Sequence, residues 1–469
     1  MKRLFVVFAV IIVAFMTSPL TFAEGIMSDE IKFNNPDFLR GMDISSVVSL
    51  ERSGVRFSDG GEEDVFKILS DRGVNCIRVR VWNDPFDGNK NGYGGGNCDV
   101  STACEIGRRA AACGMRLFVD FHYSDFWADP AKQKPPKAWE GLSLEEKSQR
   151  LSDFTYNSLK EIKSSGADIC MVQIGNETNN ALCGESDWES ISSLMNAGVS
   201  AVRRFDKSVL VSVHFTDPQR TETVKWLADT LDRYKVDYDV FAVSYYPYWH
   251  GSLENLTAVL NYAAVKYDKY ALVAETSYAN TLEDTDGHPN TVSKGSNDAD
   301  MPWVFTVQGQ ADAVGAVMNA VNEVDNKKGL GMFYWEGAWI SVGDDLSRNK
   351  ALWESLGSGW ATSYSGGYDA DAGRFCGGSA VDNQAFFDAQ GRALPSLDIF
   401  GMVVRSVTAL DVNRDGRVNI RDATRIQKHI AGLTDLNSEE LRAADVNGDK
   451  KVTVSDATDL QKKLCGILF

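Results

Sequence analysis

The sequence predicts a (β/α)8 barrel followed by a small all-α calcium-binding domain. Apolar runs of strand length alternate with amphipathic helical patterns, and the alternation is repeated eight times, which is typical of such a barrel. Two near-copies of an acidic loop close to the carboxyl terminus indicate the second domain. We expect a signal peptide over residues 1–23, the barrel over residues 24–402 and the calcium-binding domain over residues 407–469.

The first 23 residues have the pattern of a secretory leader. Lys2 and Arg3 give a positive start, residues 4–16 are apolar, and Thr21 and Ala23 place small side chains before a cleavage point. A retained membrane anchor is the less favoured alternative, because this run is shorter than the ~20 residues that span a bilayer. We therefore expect a secreted, extracellular protein without a membrane span after cleavage.

The net charge narrows the classes of partner, and the cysteine pattern indicates what disulfides to expect. A net charge of −17 without a basic patch argues against nucleic acid, whereas an uncharged polysaccharide remains compatible. The eight cysteines are scattered and form no disulfide framework. Cys76 and Cys170 fall within apolar strand patterns and are expected to be small buried side chains. Cys98, Cys104 and Cys183 lie in or near predicted loops, so one or two disulfides remain open.

Eight apolar runs are predicted as the barrel strands. Between them lie helical patterns such as 63–72 and 101–113, and Gly73, Gly114 and Gly166 end such patterns where a left-handed residue is needed. The predicted strands are Leu39–Ile44, Asn75–Trp82, Arg116–His122, Ile169–Asn176, Val209–His214, Val240–Tyr246, Ala271–Glu275 and Gly331–Trp335.

The carboxyl ends of these strands carry the candidate functional residues, since the active site of such a barrel lies at that face. Glu177 and Glu275 each follow or end an apolar run, and two carboxylates at two strand ends are typical of enzymes that cleave glycosidic bonds. The other polar and aromatic side chains at this face are expected to bind substrate: Asp43, Arg80, Trp82, His122, Asn176, His214, Tyr245, Tyr246 and Trp335.

The loops at the same face add four tryptophans, whose flat faces suit sugar rings by stacking. About half of such rings are expected to be ordinary core residues instead. These tryptophans are Trp127, Trp139, Trp249 and Trp339.

Several long segments resemble those of glycoside hydrolase family 53, the endo-β-1,4-galactanases of clan A. The resemblance runs from about Phe38 to about Phe400, and it implies a retaining enzyme in which Glu177 is the acid/base and Glu275 the nucleophile. Another endo-glycanase of the clan, a mannanase or a cellulase, or a barrel that only binds polysaccharide, remains an alternative. The segments are Arg78–Pro85, Asp120–Pro130, Gly175–Glu177, Ser244–Pro247 and Ala274–Thr276.

The chemistry of retaining hydrolysis requires the two carboxyls to differ in charge. We expect Glu275 to be ionised beside Arg80, with a hydrogen bond from Tyr245 or Tyr246. A second carboxylate nearby should raise the pKa of Glu177 so that it carries the proton. Asn176 is expected to bond the sugar 2-hydroxyl, and Trp335 to form the floor below the reacting sugar.

A polar segment after the seventh strand is a candidate calcium site. Asp286, His288 and Asn290 alternate along it, although a hydrophilic turn explains the same residues. The family resemblance implies a structural calcium ion here, held together with Ser379 and Asp382 of the last loop.

The two acidic loops, residues 411–422 and 445–456, have oxygen side chains at the spacing of a calcium-binding loop, with a backbone carbonyl at position 7. Each is followed by a helical pattern, 423–431 and 457–465, and an irregular segment is expected before each loop. Lys450 replaces the usual glycine of the second loop. The predicted ligands of two calcium ions are Asp411, Asn413, Asp415, Arg417, Asn419 and Asp422, and Asp445, Asn447, Asp449, Lys451, Thr453 and Asp456.

This tail resembles a type I dockerin, which implies a cohesin of a cellulosome scaffold as its partner and a location on a scaffold or cell surface. A calcium-responsive regulatory module is the alternative. The positions that help set cohesin specificity in that family are here Ile420 and Arg421, and Val454 and Ser455.

Overall fold

The structure is a computed structural model that describes residues 26, 31–295, 301–404, 410–413, 418–447 and 451–464. The predicted leader, residues 1–23, and the predicted ligands Asp415, Arg417 and Asp449 lie outside the described residues.

A closed barrel of eight parallel strands forms the main domain, which confirms the predicted fold class. Each strand hydrogen-bonds to the next in chain order, and the last returns to the first through the pair Leu39 and Gly331. All eight predicted strands are present, with ends displaced by at most two residues. They are β2 (Leu39–Asp43), β3 (Cys76–Val81), β4 (Arg116–Phe121), β5 (Ile169–Ile174), β6 (Leu210–Phe215), β7 (Val240–Ser244), β8 (Tyr270–Thr276) and β9 (Gly329–Tyr334).

Helices surround this barrel, and their boundaries follow from local capping. Ser143 and Glu146 form a reciprocal capping box at the start of the longest helix. Gly73, Gly114 and Gly166 have positive φ directly after three helices, as predicted. The helices are α1 (Val47–Arg52), α2 (Val65–Asp71), α3 (Val100–Ala112), α4 (Leu144–Ser164), α5 (Trp188–Phe205), α6 (Thr221–Arg233), α7 (Leu253–Tyr267), α8 (Val307–Asn322), α9 (Leu346–Leu356) and α10 (Ala370–Phe375).

The barrel interior is a packed core near the amino-terminal ends of the strands. Phe118 and Phe333 fill it, with ring centroids 5.0 Å apart. Gly41 leaves the space for Phe333, because a Cβ at this position would lie 2.1 Å from the Phe333 ring. Apolar side chains occupy this end of the barrel, so polar groups are confined to the opposite end.

A short two-stranded sheet joins the two ends of the barrel domain at its amino-terminal face. Strands β1 (Ile31–Lys32) and β10 (Val403–Val404) pair in parallel. Asn35, just after β1, donates to the carbonyl of Gly329, the first residue of β9, at 3.2 Å. This pairing therefore lies at the face opposite the carboxyl ends of the strands.

The described part of the tail contains three helices, α11 (Ile420–Ile430), α12 (Ser438–Ala444) and α13 (Val454–Leu464). The helices α11 and α13 begin three residues before the predicted positions, so Ile420 and Val454 are their first residues. The expectation of an irregular segment before both loops is wrong for the second loop, because α12 directly precedes it. A small apolar core joins the helices, with Val412, Ala423, Ile426, Ala444, Ala457 and Leu460 buried.

Neither a disulfide nor a membrane span is found in the part of the chain that the structure describes. The seven cysteines within it are free thiols, and Cys76 is buried as predicted, whereas Cys170 is half-buried. None of the described helices combines the length and the apolar character that a bilayer span requires.

Candidate active site

Glu177 is presented by a sharp turn at the end of β5. Gly175 has φ +83°, and a Cβ there would lie 2.6 Å from the Thr178 side chain, so glycine is required. Glu177 itself has φ +47°, a conformation that residues other than glycine rarely adopt and that is often found at functional sites. Its carboxylate accepts a hydrogen bond of 2.6 Å from Ser244 at the end of β7.

Glu275, at the end of β8, is bound by an arginine and a tyrosine. Arg78 Nη1 donates to one carboxylate oxygen at 2.9 Å, and the Tyr246 hydroxyl donates to the other at 3.0 Å. The prediction that Arg80 neutralises Glu275 is therefore wrong. Of the two tyrosines considered for this hydrogen bond, Tyr246 makes it.

The Arg78 side chain reaches Glu275 from the interior of the barrel, on the side away from the cleft. It lies two residues before Arg80 on β3, so both point into the barrel, and Arg78 starts one layer deeper. Its guanidinium is buried and also contacts Asp43 at 3.2 Å and Asp120 at 2.8 Å. Such a buried cation is tolerable only because these carboxylates surround it.

Arg80 has a different partner, Glu336, directly after β9. The two form a buried ion pair, and Ser46 donates to the second carboxylate oxygen at 2.6 Å. The Arg80 guanidinium also lies 4.2 Å from the centre of the Trp127 ring, within the range of a cation–π interaction. Arg80 thus fixes an aromatic wall of the cleft and does not contact Glu275.

A cleft of about 300 Å³ opens above the two glutamates. Asp129, Lys132 and Asp369 contribute charged groups at its rim, and Lys132 Nζ lies 2.9 Å from Asp369. This ion pair links the loop after β4 to the long loop that contains α10. The predicted residues that line the cleft are Arg80, His122, Asn176, Glu177, Glu275 and Trp335, and the indole rings are those of Trp127, Trp335, Trp339 and Trp360.

Four predicted substrate-binding residues are buried away from the cleft surface, which corrects that expectation. Trp82 donates to His122 Nδ1 at 3.1 Å, and the Tyr245 hydroxyl donates to the Gly251 carbonyl at 2.9 Å. Asp43 and His214 are fully buried in the polar network beneath the glutamates. None of these four side chains lines the cleft, and they support groups that do.

Two of the loop tryptophans belong to the cleft. Trp127 and Trp339 line it, whereas Trp139 is buried against Phe154 on the outer layer. Trp249 is 51% exposed, and its ring lies 5.6 Å from that of Tyr246.

The two glutamates differ in their electrostatic surroundings. Burial, together with the charge of Glu275, raises the pKa of Glu177 to about 8. Burial also raises the pKa of Glu275, but the Arg78 guanidinium opposes this shift. At neutral pH the proton of the pair therefore belongs on Glu177, and the negative charge on Glu275 beside Arg78.

A second acidic cluster lies beyond β8, where the sequence predicts a calcium site. Single oxygen atoms of Asp284, Asp286 and Asp382 lie within 4.8 Å of one another. Burial and the charge of Asp382 raise the pKa of Asp286 to about 7. Asn290 Nδ2 donates to Asp382 at 2.6 Å, and the Ser379 backbone N–H donates to Asp286 at 2.7 Å.

Sequence reasoning missed Arg78, Ser244 and Glu336. Arg78 and Arg80 share one strand face, so periodicity identifies both without ranking them. Ser244 is the first residue of a segment that carries the family resemblance, but a serine within an apolar strand has no periodicity that assigns it a role. Glu336 directly follows Trp335, and its acidic side chain at a strand end was the one signal that could have found it.

A (β/α)8 barrel that presents one protonated and one ionised carboxyl in a cleft lined by indole rings is a glycoside hydrolase. The chain belongs to glycosyl hydrolase family 53, whose family model matches residues 39–400. Residues 409–465 match the model of the dockerin type I domain.

Relatives support this assignment over most of their length. An endo-beta-1,4-galactanase of Bacillus subtilis is 53% identical over 383 residues, covering 81% of this chain and 89% of the relative. An arabinogalactan endo-beta-1,4-galactanase of Humicola insolens is 32% identical and covers 64% of this chain and 90% of the relative. The solved catalytic domain of an Ignisphaera aggregans protein of this family is 37% identical, with a TM-score of 0.70 over 80% of this chain and 99% of that domain.

The pKa of Glu177 sets an expected pH dependence. Glu177 can donate a proton only below its pKa of about 8, so kcat/KM should fall as the pH rises through this value. The measurement is the pH profile of kcat/KM on a soluble substrate. An alkaline limb near the ordinary glutamate value of ~4.3 would show that Glu177 is not the proton donor.

Proposed function

We propose that this protein is a secreted, retaining endo-β-1,4-galactanase that acts on the galactan side chains of pectin and is attached to a cellulosome-like scaffold through its dockerin. The observation that carries the proposal is the contrast between Glu177, which holds a proton, and Glu275, which is bound to Arg78. The names of the relatives support galactan as the substrate.

In the first step Glu275 attacks the anomeric carbon, and a bond forms between that carbon and a carboxylate oxygen. The glycosidic bond breaks as Glu177 gives its proton to the leaving oxygen. Arg78 and Tyr246 direct the Glu275 oxygens and disperse their charge before attack. Asn176 lies at the cleft beside Glu177, where it can bond the sugar 2-hydroxyl.

In the second step ionised Glu177 takes a proton from water, and the resulting hydroxide displaces Glu275 from the anomeric carbon. The sugar leaves with its original configuration, and both glutamates return to their starting states. Trp335 is proposed to form the floor below the reacting sugar, since its half-buried ring lines the cleft.

The substrate is tested by reducing-end release from potato galactan, compared with mannan and carboxymethylcellulose. Preferential release from galactan supports the proposal. Preferential release from mannan or cellulose would favour another endo-glycanase of the clan, and no release from any polymer would favour a barrel that only binds polysaccharide.

A structural calcium ion in the barrel fits the residues present. Two buried carboxylates, Asp286 and Asp382, lie close enough to repel each other, and Asn290 Oδ1 is buried without a hydrogen-bond donor among the described residues. A cation would satisfy both conditions. We propose that Asp286, Asn290 and Asp382, with His288 and Ser379 beside them, hold calcium, which neutralises charge and ties the loop after β8 to the last loop.

Two further calcium ions are proposed for the dockerin loops. Asp422 and Asp456, at position 12 of each loop, are buried. Asp422 accepts from the backbone of Asn413 at 2.9 Å and Asn419 at 2.8 Å, and Asp456 accepts from the backbone of Val446 at 2.9 Å and Thr453 at 2.8 Å. Each aspartate thus joins the two ends of its loop, as wrapping around one ion requires.

The roles of the two glutamates are separable by substitution. Glu275→Ala should abolish turnover, because no covalent intermediate can form. Glu177→Ala should lower kcat on galactan by ~10²–10⁴-fold but cost much less on an aryl glycoside whose leaving group needs little protonation. Azide should restore activity in this variant and yield a β-glycosyl azide. Equal losses on both substrates without azide rescue would contradict the assigned roles.

Calcium should stabilise the barrel more at pH 7 than at pH 5. The pKa of Asp286 is raised to about 7, so its ionisation destabilises the calcium-free fold progressively as the pH rises from the unfolded pKa of ~3.9 toward 7. Calcium must displace the Asp286 proton at pH 5, so its Kd is weaker there, and at a fixed calcium concentration the stabilisation is larger at pH 7. It is about 2.7 kcal/mol at a hundredfold excess over Kd.

Thermal unfolding of the barrel can be followed by tryptophan fluorescence, because all eleven tryptophans precede residue 361 and the tail has none. Asp286→Asn is the control variant and should lose most of the calcium response. An equal calcium shift of Tm at both pH values, or an immediate reversible loss of kcat on chelation of the folded enzyme, would contradict this role.

Calcium should also control the binding of the dockerin domain to its cohesin. Asp411→Ala combined with Asp445→Ala, at position 1 of the two loops, should abolish pull-down of the full chain by its cognate cohesin, as should a chelator. Hydrolysis of soluble galactan by the same variant should be unchanged. Cohesin binding that survives both the chelator and the double substitution would favour a different role for this tail.

A further inference from the structure

The hydroxyl of Ser244 has one proton and two partners. Its oxygen lies 2.6 Å from Glu177 Oε1 and 2.9 Å from His214 Nε2. A single hydroxyl proton can serve one of these partners, and the other partner must then donate to the serine oxygen. The direction of this short chain of hydrogen bonds is therefore set by whichever neighbour holds a proton.

His214 is neutral and so contributes one ring proton. It is fully buried, and burial together with the Arg78 guanidinium holds its pKa well below the ordinary value. Its Nδ1 lies 2.9 Å from Asn176 Oδ1. The Asn176 amide is oriented, because its Nδ2 donates to the Ala128 carbonyl at 2.9 Å, so an acceptor faces Nδ1.

Two arrangements satisfy this chain when the proton of neutral Glu177 is on Oε1, the oxygen that faces Ser244. With the proton on Nδ1, His214 donates to Asn176, Nε2 accepts from Ser244, and the serine oxygen accepts from protonated Glu177. With the proton on Nε2, His214 donates to Ser244, and Ser244 donates to ionised Glu177. In the second arrangement Nδ1 accepts from Gln173 Nε2 at 3.1 Å.

We propose that the tautomer of His214 and the proton of Glu177 are coupled through the hydroxyl of Ser244. Each arrangement gives Glu177 the partner that its charge state requires, an acceptor when it is protonated and a donor when it is ionised. In the second arrangement the bare Nδ1 lies beside Asn176 Oδ1, but it accepts from Gln173 Nε2 and faces the Glu177 backbone N–H at 3.4 Å, so both arrangements have hydrogen-bond partners.

Charged and titratable groups from neighbouring elements face both Glu177 and His214. Glu275 on β8, Asp129 in the loop after β4 and Tyr246 after β7 face Glu177. Arg78, Asp120 and His122 face His214 from β3 and the end of β4. The Thr216 side chain also hydrogen-bonds to Glu177, and the Glu177 backbone N–H donates to His214 Nδ1 at 3.4 Å. Among the described residues, the Ser244 hydroxyl is the group hydrogen-bonded to both the Glu177 carboxyl and the His214 ring.

This coupling rests on the proposed role of Glu177, which must be an acid in one step and a base in the next. Ser244 and His214 are positioning residues, since each acts through Glu177. Both arrangements carry one proton on His214 and one on Ser244, so the charge of these two side chains does not change, and the proton lost on ionisation is that of Glu177. The ring proton is released from Nδ1 and one is taken up at Nε2 by exchange with solvent.

The test is nitrogen-15 NMR of the full chain with labelled histidine, together with the carbon-13 signal of the Glu177 carboxyl. We expect His214 to change from the Nδ1–H to the Nε2–H tautomer at the same pH at which Glu177 ionises. Five histidines are present, and His214→Gln identifies the signal. No substrate is needed, so this outcome is independent of galactan hydrolysis.

Three variants make the test specific. Glu177→Gln cannot ionise, so the tautomer should no longer change with pH. Ser244→Ala should also remove the change while the Glu177 carboxyl still titrates, and its alkaline limb of kcat/KM should move to higher pH because a donor to the carboxylate is lost. Ser244→Thr keeps the hydroxyl and should restore both properties. A wild-type tautomer that stays constant while Glu177 ionises, or a change that persists in Ser244→Ala, would overturn the proposal.

Discussion

The buried guanidinium of Arg78 is the constraint on which the site depends. It contacts Asp43, Asp120 and Glu275 on three different strands, so one cation fixes the relative heights of those strands at the reactive end of the barrel. Removal of one member of such a buried cluster leaves an uncompensated charge and costs roughly 3–5 kcal/mol. The charge balance of Glu275 and the alignment of the barrel strands therefore depend on the same side chain.

The barrel was predictable because its strands are buried on both faces and read as continuous apolar runs. Their carboxyl ends were predictable for the same reason, and Glu177 and Glu275 stand out as charges where apolar runs stop. What could not be predicted was how deep in the barrel each arginine side chain of β3 lies. Period-2 alternation places Arg78 and Arg80 on the same face, but only the three-dimensional stagger of strands decides which one reaches Glu275 and which one reaches Glu336.

Burial explains the other differences between expectation and structure. Trp82, Tyr245 and His214 lie at or near strand ends, as residues that contact substrate also do, yet each is enclosed by neighbouring loops. A single sequence does not show which loop folds over which strand end, so residues beneath a cleft and residues on its surface have the same pattern. The hydrogen bonds of these buried side chains hold the surface residues in place.

The pairing of β1 with β10 has a consequence for how the enzyme is tethered. β10, at the carboxyl-terminal end of the barrel domain, lies at the face where the barrel strands begin, and the cleft opens at the face where they end. The chain that continues from β10 toward the dockerin domain therefore leaves the barrel on the side opposite the cleft. A polysaccharide can thus cross the cleft without meeting the point at which the chain leaves the barrel.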